Sequence, residues 1–336
     1  MPKISIIVAV YNEEKYLRQC LDSLIHQSLK DIEIICIDDA SEDSSPDILQ
    51  EYASKDSRIH LLKNEKNIGQ AKSRNRGIDI ATGEYICYLD GDDWFNLDSL
   101  QIILSTFAIH PEADCVLFNL AKKTTQEPIQ NLGETSNSLP LKEELGASIF
   151  SGQEAFLLSI DWRLHGVYAA KNWLFKTYPY DTSTRYYSDD NTTRIHYLHS
   201  NKVVCSNAVY NYRQHKEAGT TKISIHTFDH ILANLSLKDQ LIKEKVSKEA
   251  LSTLEVYRLY NLLGAYKNYF LYQNSFTQEE KQEIHSRMRK VLSTIDTTII
   301  PSEIKYRFGY YPFKNYTFFC LQQNIFWFLR RLLGKK

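Results

Sequence analysis

The chain has 336 residues, with 40 Lys or Arg against 41 Asp or Glu and a formal net charge of −1, so the whole molecule offers no general field for a polyanion such as nucleic acid. Its composition, 43% hydrophobic and 24% charged, is that of a folded globular protein, and its length suits one large α/β domain with an extension, or two domains. Six cysteines (Cys20, Cys36, Cys87, Cys115, Cys205, Cys320) without Cys-x-x-Cys spacing argue against a disulfide framework and for a reduced, cytoplasmic setting.

In chain order, residues 3–10 (KISIIVAV) form a continuous apolar run, the pattern of a strand buried on both faces. The run is short and meets Asn12-Glu13-Glu14 at once, unlike a secretion leader. Asn12 is expected to cap a helix from about Glu13 to Gln27, with its apolar stripe at Tyr16, Leu17, Cys20, Leu21, Leu24 and Ile25. A second strand follows at 32–39 (IEIICIDD), then a helix opened by Ser45-Pro46, a strand at 58–64, and a helix from about Gln70 to Thr82 stopped by Gly83. A fourth strand covers 84–90 (EYICYLD), a helix runs from about Leu97 to His110, and a fifth strand covers 114–120. Strands alternating with helices predict a mostly parallel, doubly wound sheet, whose ligands bind outside the carboxyl ends of the strands. Those ends carry Tyr11-Asn12, Asp38-Asp39 and the crowded Asp90, Asp92 and Asp93. Residues 124–145 read as a polar loop insertion, and residues 223–293 as helical.

The strand-end chemistry narrows the ligand. No glycine precedes Gly69. The glycine-rich turns of a dinucleotide site or a P-loop are therefore missing, and a glycine-loop nucleotidyltransferase is disfavoured on the same ground. Clustered aspartates can instead hold a hard divalent cation that neutralises a diphosphate. A lone Asp-x-Asp is a short pattern and more often a solvated acidic turn or a helix N-cap.

The context makes the pattern specific. The ordered set 4-ISIIVAVYNEEKYLRQCLDSLIHQS-28, 34-IICIDDASEDSS-45, 67-NIGQAKSRNRGIDIATGEYICYLDGDDW-94, 188-SDD-190 and 210-YNYRQH-215 resembles the family 2 glycosyltransferases, closely over 3–118 and loosely over 165–220. The resemblance implies a GT-A nucleotide-sugar-binding fold (α/β, Rossmann-like) with a helical C-terminal extension. Residues 1–222 would be the catalytic domain, with 1–120 the nucleotide-sugar half and 121–222 the acceptor half, and 223–336 the helical region. It implies that Tyr11 lines the base pocket, Asp39 hydrogen-bonds a uracil ring, and Arg74 lies near base and phosphates. Asp90 would face the ribose, Asp92 would ligate Mn²⁺ or Mg²⁺, Asp93 would orient the site and Trp94 would pack. The family usually carries a Glu-Asp pair at the start of a helix. Here it reads Asp189-Asp190, which departs at the first position and leaves Asp190 as general base, with Asp189 positioning the acceptor. His215 falls in a loop that can close over the diphosphate, and the aromatic 162–175 segment, with Trp162 and Trp173, falls on the acceptor side.

The implied activity is inverting transfer of a hexose or N-acetylhexosamine from a UDP-sugar to a hydroxyl of a bacterial surface glycan, such as lipooligosaccharide or capsule. The competing reading is a sugar-nucleotide-binding scaffold at a membrane that has lost catalysis, against which Asp39, Asp90, Asp92 and Asp190 together argue. A homo-oligomer is left open.

The last 33 residues, Ile304 to Lys336, hold seven Lys or Arg, no Asp or Glu, and eleven aromatics. The preceding 303 residues therefore carry −1 − 7 = −8. Phe318, Leu321, Ile325, Phe328, Leu329 and Leu332, followed by Arg330, Arg331, Lys335 and Lys336, predict an interfacial helix on the inner face of a cytoplasmic membrane, with packing on the chain's own helices or on a second subunit as the alternative. The uncharged run 315–329 is too short to span a bilayer.

Overall fold

The computed structural model describes residues 2–124, 148–215 and 223–334. The expected loop insertion at 124–145 lies almost wholly outside the described residues, as do Lys335 and Lys336. The chain divides into two compact units, residues 1–182 with 192–218 and residues 183–191 with 219–336.

The first unit is built on one sheet. Its strands are β1 (Ile4–Val10), β2 (Ile32–Asp38), β3 (Ile59–Lys63), β4 (Tyr85–Tyr88), β5 (Trp94–Phe95), β6 (Ala113–Thr124), β7 (Ile149–Ser151), β8 (Tyr168–Lys171) and β9 (Lys202–Gln214), in the order β3-β2-β1-β4-β8-β6-β9-β5, with β7 on β9. The long ladders, β1–β2, β1–β4, β2–β3 and β6–β9, are parallel; β8, β5 and β7 add short antiparallel ones. Every residue of β2 is buried, including Glu33 and Asp38 among its apolar residues.

The helices α1 (Leu17–Ile25), α2 (Ser45–Lys55), α3 (Gln70–Ile80) and α4 (Ser99–Ile109) follow successive strands of the parallel half. α3 lies so close to β1 and β2 that a Cβ at Gly77 would stand 2.8 Å from Ile37 Cδ1 and 2.9 Å from Ile7 Cγ2. Glu33, inside β2, is buried; burial pushes its carboxyl up, but donors from Ser5 Oγ (2.6 Å), Thr82 N (2.7 Å) and Gly83 N (3.0 Å) outweigh that and hold it below its ordinary value. These bonds fix the turn from α3 into β4.

One helix boundary differs from expectation. Asn12 does not cap a helix at Glu13; α1 begins at Leu17. Asn12 has φ 57°, and its side-chain oxygen accepts from Glu42 N (2.8 Å), so it is committed to the loop after β2 instead.

Among the described residues, three more helices fall in the first unit's sequence range: α5 (Gly152–Ile160), α6 (Asn172–Thr177) and α7 (Ser188–Leu198), the first four residues of α7 belonging to the second unit. The second unit contains α8 (Asp229–Lys243), α9 (Lys248–Tyr272), α10 (Gln278–Thr294), α11 (Ser302–Lys305) and α12 (Tyr316–Leu332). Phe228, Ile231, Leu259, Leu262, Met288 and Phe319 form its core. Thr277 and Glu280 make a reciprocal capping box that starts α10 sharply.

Candidate active site

The rim of the first unit is set by backbone strain and cross-loop bonds. Ala40, directly after Asp39, has φ 61°, a left-handed conformation that a non-glycine residue keeps only where its surroundings impose it. The imposed contacts include Asp39 N–H to Val10 O (2.8 Å) and Asn12 N–H to Ser41 Oγ (3.1 Å), which lace the ends of β1 and β2 together. Tyr11 stands at the exposed end of β1, 41% accessible.

Asp39 is buried, and its carboxylate is largely engaged by the chain itself. Oδ1 accepts from Asn64 Nδ2 (2.6 Å) and Ile68 N–H (2.9 Å), and Oδ2 accepts from Gly69 N–H (2.8 Å). A carboxylate offers about four acceptor sites. Three go to residues 64–69, which lead through Gly69 (φ 91°) into α3. One direction on Oδ2 is left for a ligand N–H.

α3 brings two side chains to the end of β4. Gln70 Nε2 donates to Asp90 Oδ1 (3.0 Å), and Arg74 pairs with the same oxygen (2.5 Å). Arg74 is buried, its guanidinium 4.2 Å from the Tyr88 ring centroid and 5.1 Å from that of Tyr180. Aromatic faces and a carboxylate together stabilise a cation that burial alone would penalise.

The three clustered aspartates are in different settings. Asp92 is partly exposed, and its Oδ2 lies 2.9 Å from His215 Nε2. Burial, and then the neighbouring Asp90 charge, raise the Asp92 carboxyl above its ordinary value against the pull of His215. Asp93 is fully buried and pushed up to about 9, by burial first and then by the Asp92 and Asp90 charges. Its two oxygens accept from Arg213 N–H (2.7 Å) and Tyr210 Oη (2.7 Å). Tyr210 Oη also takes the Asp90 N–H (3.3 Å). Arg213 lies between the rings of Tyr16 and Trp94, 4.6 Å from each centroid, and donates from Nε to Asp92 O (2.8 Å). The His215 ring packs 4.8 Å from Tyr16.

Within 210-YNYRQH-215 the sequence alone points to a role only for His215. Tyr210 and Arg213 were missed because their contacts depend on the register of β9 against β5, Phe95 opposite Tyr210 and Trp94 opposite Asn211, which spans more than a hundred residues of chain. Gln70 and Asn64 were missed for a similar reason.

Asp189 and Asp190 fall in the second unit, in the first turn of α7. The segment before them is held within that unit. Tyr187 has φ 65° and its ring is 5.7 Å from that of His230. Tyr186 N–H reaches Asp229 Oδ2 (3.4 Å), and Asn191 Nδ2 donates to Ala233 O (2.8 Å). Asp229 is itself fixed by Arg287 (2.7 Å) and His226 Nδ1 (3.1 Å). Burial, and then the charges of Asp190, Asp229 and Asp189, raise the Tyr187 hydroxyl pKa. Of the two acceptor-side tryptophans, Trp162 lies under the Arg194 guanidinium (4.7 Å), a packed position, while Trp173 is 44% exposed.

Asp92 and His215, 2.9 Å apart, are the side chains that would hold Mn²⁺ or Mg²⁺, with the Asp92 carboxylate supplying an oxygen donor of the kind hard dications take. The Asp92 carboxyl, raised above its ordinary value by burial and then by the Asp90 charge, is one whose charge a dication would neutralise. Among the described residues no group of three or more His, Cys, Asp or Glu side chains could hold a metal ion. A cation here would complete its shell from a bound diphosphate and water, the habit of Mg²⁺-type sites.

Residues 5–157 match the family model Glycosyl transferase family 2. The chain is 39% identical over 155 residues to the putative glycosyltransferase EpsH of Bacillus subtilis, covering 45% of this chain and 44% of that one. It is 28% identical over 298 residues to the glycosyltransferase GlyG of Streptococcus pneumoniae, covering 85% and 95%. The matched regions of EpsH and of the S. pneumoniae glycosyltransferase GlyA cover only 44% and 16% of those proteins. The fold is similar to that of S. aureus TarS 1–349 in complex with UDP-GlcNAc, with a TM-score of 0.68 at 18% identity over 99% of this chain and 92% of that one. It is also similar to the mannosyltransferase PcManGT of Pyrobaculum calidifontis in complex with GDP-Man and Mn²⁺, with a TM-score of 0.55 at 17% identity over 100% and 88%. The architecture is thus GT-A-like, with a helical C-terminal region.

Proposed function

We propose that the chain, whose residues 5–157 match the family model Glycosyl transferase family 2, transfers a hexose or N-acetylhexosamine from a UDP-sugar to a hydroxyl of a bacterial surface glycan, with inversion. The observation that carries this reading is the continuous rim Asp39–Gly69–Gln70–Asp90, joined by hydrogen bonds at the carboxyl ends of β2 and β4. This supports the reading because Asp39 and Asp90, the carboxylates assigned to base and ribose, belong to one connected set of hydrogen bonds. TarS, a fold relative, is described with UDP-GlcNAc, which supports a nucleotide-sugar donor.

Tyr11 lines the base, Asp39 accepts from the uracil, and Asp90, oriented by Arg74 and Gln70, binds the ribose. Asp92 and His215 would hold Mn²⁺ or Mg²⁺, which would supply positive charge to neutralise the departing diphosphate. Asp190 takes the proton from the acceptor hydroxyl as its oxygen attacks the anomeric carbon, the C–O bond to UDP breaks, and UDP leaves with the bonding pair. One carboxylate suffices, because the leaving group needs no general acid, unlike a glycosidic oxygen. Asp189, about 100° around the helix from Asp190, orients the acceptor rather than sharing the proton. A lipid-linked acceptor would place the enzyme at the inner face of the cytoplasmic membrane.

The test is a donor panel of UDP-Glc, UDP-Gal, UDP-GlcNAc and UDP-GalNAc with Mn²⁺ or Mg²⁺, read as UDP release. Turnover of at least one donor is expected. Binding of UDP without turnover of any donor, with or without glycan acceptors, would favour the inactive scaffold.

A further inference from the structure

The helix α12 has two apolar faces, and its own unit covers only one. Phe319 and Phe326 are buried: Phe319 packs edge-on to Tyr266 at 5.7 Å, and Phe326 against Phe308 and Tyr310 at 5.7 and 6.2 Å. Phe318, Leu321, Ile325, Phe328, Leu329 and Leu332 are each at least 40% exposed. At about 100° per residue, these six fall within one arc of roughly 100° on the helix. An aromatic series extends from the first of them: Phe318 to Phe313 (6.4 Å), Phe313 to Tyr311 (4.7 Å) and Tyr311 to Tyr306 (5.7 Å), with Tyr306 itself 68% exposed.

Charge identifies what covers this face. From Ile304 to Lys336 the sequence has seven cations and no anion, whereas the first 303 residues carry −8. Arg330 and Arg331 occupy the last turn of α12, and Arg307 is exposed ahead of it. A second copy docked face to face would bring two sets of like charge together around the apolar contact. An anionic lipid surface satisfies both features: acyl chains take the apolar arc, headgroups take the cations, and tyrosines suit the boundary between them. Among the described residues no helix is long and apolar enough to cross a membrane, so the helix would lie on the bilayer rather than span it.

We propose that the outward face of α12, together with Tyr306 and Tyr311, docks the protein on an anionic membrane. This deepens the proposed function, since a lipid-linked acceptor would then be presented in the plane where the enzyme sits. It does not depend on catalysis for its test.

The full chain is floated with vesicles of phosphatidylcholine alone or with phosphatidylglycerol at about a third of the lipid. Binding is expected to the anionic vesicles, at least ten-fold weaker to the neutral ones, and weakened by salt. The triple variant Leu321→Gln, Ile325→Gln, Phe328→Gln changes only exposed side chains and is expected to lose at least ten-fold in vesicle affinity while keeping its thermal midpoint and its UDP release in solution. Arg331→Glu is expected to reduce the preference for anionic lipid. No flotation of the wild type, or equal flotation of the triple variant, would overturn the proposal. A concentration-dependent dimer abolished by the triple variant, without vesicle binding, would assign the face to a second copy instead. Failure of every donor to turn over would count against the catalytic reading alone.

Discussion

Tyr210→Phe removes a single hydroxyl from the centre of the proposed site. That oxygen is hydrogen-bonded to Asp93 Oδ2 at 2.7 Å and to the Asp90 N–H at 3.3 Å, one of the links, with those of Arg213, between β9 and the aspartate loop. The ring would stay packed edge-on to Phe95 at 5.5 Å, so little apolar contact is lost. Leaving a buried polar group without its partner costs about 1–3 kcal/mol. The Asp93 contact is short and fully buried, the Asp90 contact long, so the sum lands at roughly 2–3 kcal/mol. Urea unfolding at neutral pH without ligand measures this directly, and an unchanged slope would show that the variant unfolds from the same compact state. Titration calorimetry of UDP with Mn²⁺ then reads the effect on the site. A loosened Asp90–Asp93 loop should weaken binding about ten- to a hundred-fold, the usual scale for partners that orient a metal's ligands. A variant within about 0.5 kcal/mol of wild type, with unaltered UDP affinity, would refute the claim that Tyr210 sets the geometry of the aspartates.

Asp39→Asn puts an NH₂ opposite either Gly69 N–H or the Ile68 N–H and Asn64 pair; a loss of about 2–3 kcal/mol in urea unfolding is expected, together with weaker UDP binding. Asp229→Ala frees the segment before Asp189 and Asp190 and leaves Arg287 without one of its partners; kcat should fall about ten-fold with the donor KM unchanged, and a change in donor KM alone would argue against a positioning role. His196 is buried and His165 half-buried, and desolvation pushes both down to about 4. Because the unfolded chain takes up those protons near pH 6.5 and the folded chain does not, their contribution is complete above that pH and is lost as pH falls toward 4. At most about 3 kcal/mol per histidine is at stake, and the thermal midpoint should drop between pH 7 and 5. His165→Asn, which keeps an acceptor for Val167 N–H, should flatten the drop.

Most of the parallel half of the sheet was legible, and the reason is local. β1, β2 and β4 are apolar runs buried on both faces, and each is punctuated by its own turn residues, so periodicity alone finds them. The strand-end aspartates were legible because the chemistry of Asp-x-Asp is written in adjacent positions. What was not legible depends on distant pairing. The short β5 has two residues, too few for a period, and it exists only because Trp94 and Phe95 meet Asn211 and Tyr210. Asn12 has the composition of a helix cap and the environment of a loop brace, a choice decided by Glu42 thirty residues away. Asp39 looked like a ligand-binding group alone, yet three of its hydrogen bonds hold the protein's own chain. The outer face of α12 was visible as an amphipathic pattern, but whether that pattern faced inward or outward required a structure: its two faces carry Phe319 and Phe326 on one side and Phe318 and Leu321 on the other.

The central claim is that the aspartates after β4 serve the donor while Asp190 serves the acceptor. The most direct measurement compares wild type, Asp92→Ala and Asp190→Asn in two readouts: UDP binding with Mn²⁺, and sugar transfer from whichever UDP-sugar the wild type turns over. Asp92→Ala should lose metal-dependent UDP binding and transfer together. Asp190→Asn should keep UDP binding within a few-fold of wild type and lose transfer by about three orders of magnitude or more, the upper range of a general-base contribution. Full transfer by Asp190→Asn, or metal-dependent UDP binding undiminished in Asp92→Ala, would contradict the account.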